Sequence, residues 1–242
     1  MTAWHVVSRI QKRNDVADIA WGLGFVLVAW LSMALAGHAP SFEGWLVAVL
    51  VTVWGARLAV HIYLRNRKKS EDKRYKEIVP EGTAFRGLVA YAKVFLLQGI
   101  LIWIISMPVQ AVFFSQPSSV WSGLVAMGVV VWVFGIVFEA IGDYQLSRFL
   151  QQKKRPEVLS TGLWRYTRHP NYFGEVTLWW GVWLIAVASG VRPWTVVGPL
   201  TITGLILFVS GVPMLERRYK DDANYQRYAE KTSKFLPLPP KS

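Results

Sequence analysis

The ten residues from Tyr166 to Glu175, YTRHPNYFGE, hold the side chains of this chain that are best suited to chemistry. Pro170 has no N–H and a fixed φ, so it disfavours helix at His169 and suits the first turn of a helix. Pro170 is therefore predicted to lie in the first turn of a helix, with Arg168 and His169 on the loop before it. Free N–H groups and the helix dipole favour negative charge at such an N-terminus. The segment predicts an anion-binding site.

A simpler interpretation is a helix cap beside a belt of aromatic and cationic side chains at the lipid headgroups. That interpretation accounts for Tyr166, Arg168 and Pro170. It does not account for Asn171 and Glu175, which lie one turn apart on one face of the helix and lead into an apolar run. We therefore interpret Asn171 and Glu175 as ligand-binding residues.

The elements that must position these residues are membrane helices. The chain has 242 residues, of which 53% are hydrophobic. Crossing a bilayer takes about 20 helical residues, and the sequence holds six apolar runs of about that length. They are predicted at 17–36, 43–63, 87–107, 120–141, 172–190 and 194–213. The predicted fold is an all-α, polytopic membrane helical bundle that forms a single integral-membrane domain over 1–242.

The basic residues predict the orientation of the bundle. Of 27 lysines and arginines, 24 lie in residues 1–16, 64–86, 142–171 or after 213, which are alternate loops. Because basic loops stay in the cytoplasm, both termini are predicted to face it. Topology and anionic lipid thus account for most of the net charge of +12. The sequence lacks a soluble basic face with interleaved aromatics, which excludes nucleic acid as a partner.

Cysteine is absent from the chain, so disulfides, thiolate nucleophiles and thiolate metal sites are excluded together. The four histidines are scattered without a paired spacing, and no metal is predicted. The sequence shows no inverted repeat and no pair of helices broken by Gly or Pro at mid-depth, which argues against a transporter.

Ionisable side chains inside the spans are informative because each costs about 2.5–3.5 kcal/mol near the helix centre. Arg57 lies about 10 Å inside its span at 1.5 Å per residue, which is too deep to snorkel with ease. The similar depth of the ionisable side chains predicts a polar cavity open to the cytosol, although Lys93, Arg217 and Arg218 are more typical of interfacial groups. The residues concerned are Asp18, Arg57, His61, Lys93, Glu139, Asp143, Glu175, Glu216 and Arg217.

The segment RHPNYFGE, preceded by GLWRYT, resembles the signature of bacterial membrane proteins related to the C-terminal domain of steroid 5-alpha-reductases. A shorter form, RHPxYxG, is similar to isoprenylcysteine carboxyl methyltransferases. The form NxFGE, together with Asp143 after the preceding span, favours the reductase branch. The likeness extends to DIAWGLGF at 18–25, RLAVHIYLRNR at 57–67, EDKRY at 71–75, FEAIGDYQL at 138–146 and the tail YQRYAEKTSKFLPLPP.

This resemblance implies an NADPH site, most of it within 142–242. It implies that Asn171 and Glu175 contact the nicotinamide half and that Asp143 contacts the cofactor. Arginine forks suit pyrophosphate and a 2′-phosphate, although the cluster LRNRKK is equally typical of an orientation signal. The further residues assigned to the cofactor are Arg57, Arg65, Arg67, Glu139, Tyr166, Arg168, His169, Tyr172, Glu216, Arg217 and Tyr225.

Reduction of an activated C=C needs a hydride at the β-carbon and a donor that polarises the carbonyl. The resemblance implies an acid on an early helix, matched by Asp18, and a tyrosine three residues before Arg57. That position holds Trp54, whose indole N–H donates one hydrogen bond without useful acidity. The expected catalytic residues are Asp18, Trp54 and Glu175. Relatives often carry one more N-terminal span, so six to seven helices are expected.

Three functions follow as hypotheses. The leading one is an NADPH-dependent reductase of a lipophilic enone, such as a 3-oxo-Δ4-steroid, acting as a monomer in the bacterial inner membrane. A second is an S-adenosylmethionine-dependent methyltransferase with Arg168, His169 and Glu175 on the cofactor. A third is a non-enzymatic lipid-binding membrane protein.

The predicted orientation can be tested directly because the chain has no cysteine of its own. Ala39→Cys lies between the first two predicted spans, and Ser160→Cys lies in a basic loop. We expect a membrane-impermeant maleimide to label Ala39→Cys in intact cells and Ser160→Cys only after lysis. The reverse pattern would contradict the assignment of the basic loops to the cytoplasm.

Overall fold

A computed structural model describes residues 1–67, 69–80, 82, 84–115 and 121–241, with the backbone alone for Lys73. Every regular element within these residues is a helix. By length and composition, five of the described helices could span a membrane, and the prediction of an all-α polytopic membrane bundle is confirmed. The five are Val16–Leu35, Phe42–Asn66, Arg86–Ile105, Ser122–Gln151 and Pro193–Arg218.

The described helices follow one another with short connections. The α-helices are α1 Thr2–Gln11, α2 Val16–Leu35, α3 Phe42–Asn66, α4 Lys73–Ile78, α5 Arg86–Ala90, α6 Leu97–Ile105, α7 Met107–Phe114, α8 Ser122–Gln151, α9 Pro170–Ala188, α10 Val197–Gly204, α11 Val212–Arg218 and α12 Ala223–Lys231. Two π-helical segments, Tyr91–Leu96 and Leu205–Val209, continue α5 and α10. Two 3-10 turns, Gly162–Arg165 and Pro193–Val196, precede α9 and α10.

The predicted span at 172–190 corresponds to α9, which is a helix but is not among the five that are apolar enough to span. Its first two turns contain Asn171 and Glu175, and these polar residues lower its mean hydropathy. The other five predicted spans begin within two residues of the observed helices. Val120, predicted to begin the fourth span, lies outside the described residues.

Helix α8 continues to Gln151 instead of ending near 141 as predicted. The added segment, GDYQLSRFLQ, contains Leu, Gln and Arg, which are good helix formers. The polar residues of this segment end the apolar run in the sequence, but α8 continues through them because of their helix propensity. Asp143 therefore lies within a helix and not in a loop.

The described residues form two compact units. The first contains those of 1–119 together with Ser189–Val197, and it is built around α2 and α3. The second contains those of 120–188 together with 198–242, and it is built around α8 and α9. A single integral-membrane domain over 1–242 stays a prediction.

Glycines allow close contact between the backbones of α2 and α3 in the first unit. A Cβ added to Gly22 would lie 2.5 Å from the carbonyl oxygen of Gly55, and a Cβ on Gly55 would lie 2.5 Å from that of Gly22. Small residues at such crossings let helices pack through their backbones, which is typical of membrane helices.

The second unit contains a longer contact of the same kind, between α8 and α9. A Cβ on Gly135 would lie 2.5 Å from Leu178 N and 2.7 Å from Gly174 O. Gly128 and Gly181 form a second contact of this kind, seven residues away on each helix. A Cβ on Gly181 would lie 2.7 Å from Gly128 O. The two helices thus meet at backbone distance along most of α9.

Replacing a glycine at this contact should destabilise the second unit. We expect Gly135→Ala to lower the free energy of unfolding by about 1–3 kcal/mol, since backbone atoms must move to admit the methyl group. Gly123→Ala is the matched control on the same helix, because nothing lies within 4 Å of a Cβ at Gly123. Thermal unfolding in detergent measures both, and equal midpoints for the two variants would contradict the tight contact.

Candidate functional site

Glu216 on α11 gathers side chains from the loop before α9 and from α12. Its Oε2 accepts a hydrogen bond from Arg168 Nη1 at 2.6 Å. Its Oε1 accepts from His169 Nε2 and from the Tyr225 hydroxyl, both at 2.9 Å. Because an ionised carboxylate only accepts, His169 carries a proton on Nε2. These four residues, Arg168, His169, Glu216 and Tyr225, are the Glu216 cluster.

The tyrosines of α12 keep their protons in this environment. Burial, followed by the charge of Glu216, raises the pKa of Tyr225 well above its ordinary value. Burial likewise raises the pKa of Tyr228, whose hydroxyl donates to Trp164 O at 2.5 Å. Both hydroxyls therefore act as hydrogen-bond donors at neutral pH.

The C-terminal tail lies along the loop that carries Arg168 and His169. Pro170 then begins α9, and Phe173 N donates to His169 O at 3.0 Å, which continues the helical pattern back to the loop. Tail and loop are joined by three hydrogen bonds: Arg168 N to Ser233 O at 2.9 Å, Thr167 Oγ1 to Phe235 O at 2.8 Å, and Leu238 N to Tyr166 O at 3.0 Å.

A second polar contact joins α8 and α9 directly. Asn171 Nδ2 donates to Asp143 Oδ1 at 3.2 Å. Gly142 permits this approach, because a Cβ there would lie 3.0 Å from Asn171 N and 3.2 Å from Pro170 Cγ. Trp164 Nε1 donates to Gly142 O at 3.2 Å and braces the same turn. The structure thus brings together two residues that the sequence assigned to the cofactor.

The remaining residues predicted for the cofactor in this unit differ in their surroundings. Glu139 is buried on α8, and a Cβ on Gly174 would lie 2.5 Å from Glu139 N. Glu175, the next residue, is half-buried. Tyr172 stacks on the His169 ring with centroids 5.7 Å apart. Two others are exposed: Tyr166 and Arg217.

A cleft of about 330 Å³ lies between the C-terminal end of α8 and the segment 156–162. Arg148 and Gln145 line it, and Gln145 Oε1 accepts a hydrogen bond from Leu163 N at 3.0 Å. Gly162 has φ +63° with the Gln145 amide beside it, which a side chain at this position would prevent. The sequence reasoning missed these residues because it placed them in a loop.

In the first unit, Asp18 on α2 is bonded to two residues of α4. The Tyr75 hydroxyl donates to Oδ1 at 2.5 Å, and Arg74 Nη2 donates to Oδ2 at 3.0 Å. Gln98 Nε2 lies 3.5 Å from the Tyr75 hydroxyl. Burial and then the charge of Asp18 raise the pKa of Tyr75 well above its ordinary value. We call Asp18, Arg74, Tyr75 and Gln98 the Asp18 network.

Tyr75 was not among the predicted site residues, although it ends the motif EDKRY. Trp54, which stands where the resemblance implies a tyrosine, is fully buried and packs edge-on against Phe25 with ring centroids 5.4 Å apart. Phe25 lies seven residues after Asp18 on α2, about 10 Å along the helix axis, so Trp54 packs against a different part of that helix. The catalytic roles of Asp18 and Trp54 stay predictions, while the hydroxyl that the structure pairs with Asp18 is that of Tyr75.

The three arginines predicted for the phosphate side of the cofactor lie at the C-terminal part of α3 in the first unit. Arg57 is half-buried, and Arg65 and Arg67 are exposed. Arg65 Nε donates to Asn66 Oδ1 at 3.1 Å. Their role at a cofactor stays a prediction. Among the residues that the structure describes, no three His, Asp or Glu side chains are grouped to hold a metal ion.

The chain matches the model of a family described as "Protein of unknown function (DUF1295)" over residues 4–232. It belongs to this family. An uncharacterized protein of Schizosaccharomyces pombe, C594.04c, is 22% identical over 257 residues, which cover 95% of this chain and 72% of the relative. No solved structure matches the chain. The family match includes both the Glu216 cluster and the Asp18 network.

Removing the Tyr75 hydroxyl should destabilise the first unit. In Tyr75→Phe the carboxylate of Asp18 loses a donor, and a lost hydrogen bond to a charged group costs about 1.5–3 kcal/mol. Tyr144→Phe is the control, because Tyr144 is 61% exposed. We expect a clear fall in the midpoint of thermal unfolding for Tyr75→Phe alone. Similar midpoints in both variants would show that the hydrogen bond contributes little.

Proposed function

We propose that the chain is an NADPH-dependent membrane reductase that reduces the activated C=C of a lipophilic enone, such as a 3-oxo-Δ4-steroid. The observation that supports this most is the hydrogen bond between Asn171 and Asp143. It joins the two segments, RHPNYFGE and FEAIGDYQL, that resemble steroid 5-alpha-reductase relatives. Glu175 follows one turn after Asn171 on the same helix.

The residues of the second unit suit a nicotinamide nucleotide, which supplies a hydride when bound. With its amide nitrogen on Asp143, Asn171 has its oxygen as an acceptor for a carboxamide N–H. Arg168 Nε and His169 Nδ1 are buried without a hydrogen-bond partner in the described part of the chain. Buried polar atoms are nearly always paired, so a polar ligand beside these atoms is expected.

Phosphate groups need positive charge, and the Glu216 cluster does not supply it in excess. Arg168 forms an ion pair with Glu216 at 2.6 Å, so its charge is largely balanced. Arg148 lines the cleft at the end of α8, and the segment that follows is basic and exposed at Lys153, Lys154 and Arg155. We therefore assign the phosphate end of the nucleotide to this cleft, where guanidinium forks suit phosphate.

The proposed setting is the bacterial inner membrane, with the chain as a monomer and both termini in the cytoplasm. By length and composition, five of the described helices could span a bilayer. A substrate that partitions into lipid reaches such a protein from the membrane, whereas a nucleotide reaches it from water. A lipophilic enone and a water-soluble hydride donor fit these two routes.

An S-adenosylmethionine-dependent methyltransferase is the second candidate. The feature that favours it is the hydrogen bond between His169 and Glu216, because His169 belongs to RHPxYxG, the part of the motif shared with membrane methyltransferases. S-adenosylmethionine has no phosphate, so this candidate gives the cationic cleft at Arg148 no role.

Ligand-induced stabilisation separates these candidates. A ligand at 100 times its Kd should stabilise the folded protein by about 2.7 kcal/mol. We expect NADPH to raise the midpoint of thermal unfolding and S-adenosylmethionine to leave it unchanged. Asp143→Asn and Asn171→Ala should each weaken NADPH binding by about ten-fold, the loss of roughly one hydrogen bond.

Asp221→Asn is the control for Asp143→Asn, because Asp221 is exposed on the connection between α11 and α12. It should leave NADPH binding unchanged. Stabilisation by S-adenosylmethionine alone would replace the reductase with the methyltransferase. If neither compound stabilises the protein, and Asn171→Ala and Glu175→Ala change no assay, a non-enzymatic lipid-binding protein is the remaining function.

A further inference from the structure

Both oxygens of Glu216 are already engaged by protein donors. Oε1 accepts from His169 and Tyr225, and Oε2 accepts from Arg168. The sequence assigned Glu216 to the cofactor, but three donors within 2.9 Å leave this carboxylate poorly suited to contact a ligand. Its effect on a ligand must pass through the residues that it holds.

His169 is the residue through which this effect can pass. It is 2% exposed, and its Nε2 is committed to Glu216 at 2.9 Å. Its Nδ1 is buried and has no hydrogen-bond partner within the described residues. A neutral imidazole with its proton on Nε2 has an acceptor at Nδ1. A buried acceptor without a partner costs about 1–3 kcal/mol, and a donor from a ligand would remove that cost.

The ring of His169 is also fixed in orientation. Tyr172 stacks on one of its faces at 16° between the ring planes, and Nε2 is hydrogen-bonded to Glu216 at 2.9 Å. Turning the ring over would put Cε1 in the place of Nε2 and Cδ2 in the place of Nδ1, and it would break the hydrogen bond to Glu216. The position of Nδ1 is thus set by the protein before any ligand binds.

We infer that Glu216 is a positioning residue that holds His169 in its Nε2–H form, so that Nδ1 accepts a hydrogen bond from an N–H or O–H group of the bound nucleotide. Arg168 supplies the complementary group, because its Nε–H is a buried donor without a partner in the described chain. A primary carboxamide offers both an N–H and a C=O, and it is the group that this donor and acceptor would bind. The inference rests on the proposed function.

Two substitutions of His169 separate its two nitrogens. The side-chain nitrogen of glutamine takes the place of Nε2, whereas the side-chain oxygen of asparagine takes the place of Nδ1. We expect His169→Gln to keep the hydrogen bond to Glu216 and the unfolding midpoint, but to weaken NADPH binding by about ten-fold. His169→Asn should lower the unfolding midpoint and keep NADPH binding within about three-fold of the wild type. The opposite pattern would overturn the inference.

Nitrogen-15 chemical shifts of the imidazoles report which ring nitrogen of His169 carries the proton. A purely structural role of Glu216 would not change these shifts when NADPH binds. The chain has four histidines, and the signals of His169 are those missing from His169→Gln. We expect the Nε2–H form in the wild type, loss of that fixed form in Glu216→Gln, and a shift of Nδ1 on saturation with NADPH. A proton on Nδ1 in the ligand-free wild type would overturn the inference.

The same titration distinguishes failure of this inference from failure of the proposed function. If NADPH stabilises the protein but leaves Nδ1 unmoved, the inference is wrong and the reductase proposal stands. If NADPH does not bind, the reductase proposal is wrong, and the titration is repeated with S-adenosylmethionine. A shift of Nδ1 by that compound would support the role of His169 for the other cofactor, and no shift with either would refute it.

Discussion

The backbone contact between α8 and α9 is the constraint on which the candidate cofactor site depends. Where Gly142 meets Asn171, the carboxylate of Asp143 comes within hydrogen-bonding distance of the Asn171 amide. One turn further, the backbone of Glu139 lies against Gly174, next to Glu175. Small residues at membrane-helix crossings replace side-chain packing with backbone proximity. Here the same proximity brings polar residues of two helices next to one another.

The Glu216 cluster shows a different way of placing charge in an apolar surrounding. A buried ion pair is favourable only when the remaining hydrogen-bonding groups are also satisfied. Glu216 meets this condition with three donors, but Arg168 and His169 each keep one buried nitrogen without a partner in the described residues. The carboxylate oxygens of the cluster thus have hydrogen-bond partners, whereas Arg168 Nε and His169 Nδ1 have none among the described residues. Such an imbalance is expected where a ligand completes the hydrogen bonding.

Much of this fold could be predicted from the sequence because its signals are local. Apolar runs indicate where the spanning helices begin, and Pro170 lies in the first turn of α9 as predicted. The extension of α8 to Gln151 was missed because the prediction followed apolarity and ignored helix propensity. Glycines at seven-residue intervals, 128, 135 and 142 on α8 and 174 and 181 on α9, were visible in the sequence. Only the structure shows that the two series face each other.

The parts of the site that escaped prediction are contacts between distant residues. Tyr75 and Asp18 are 57 residues apart, and neither has a local pattern that names the other as its partner. The expectation of Trp54 came from the spacing in related proteins, whereas burial against Phe25 decides where its ring lies. The ion pair between Arg168 and Glu216 spans 48 residues, and it changes an expected anion-binding arginine into one that is largely neutralised.

Because Glu216 neutralises Arg168, the cations that could bind phosphate in the second unit must be sought among its other basic residues. Membrane topology alone accounts for the number of lysines and arginines in a loop, because the orientation rule counts charges without placing them. The orientation rule says nothing about the position of Arg148. Its guanidinium carbon lies 5.9 Å from the centroid of the Tyr144 ring, and its side chain lines a cleft. Residues four apart are neighbours on a helix, so Arg148 lies beside Tyr144 on α8, and both residues line the cleft. The position of Arg148 therefore supports the proposed phosphate-bearing ligand, whereas the net charge of the chain does not.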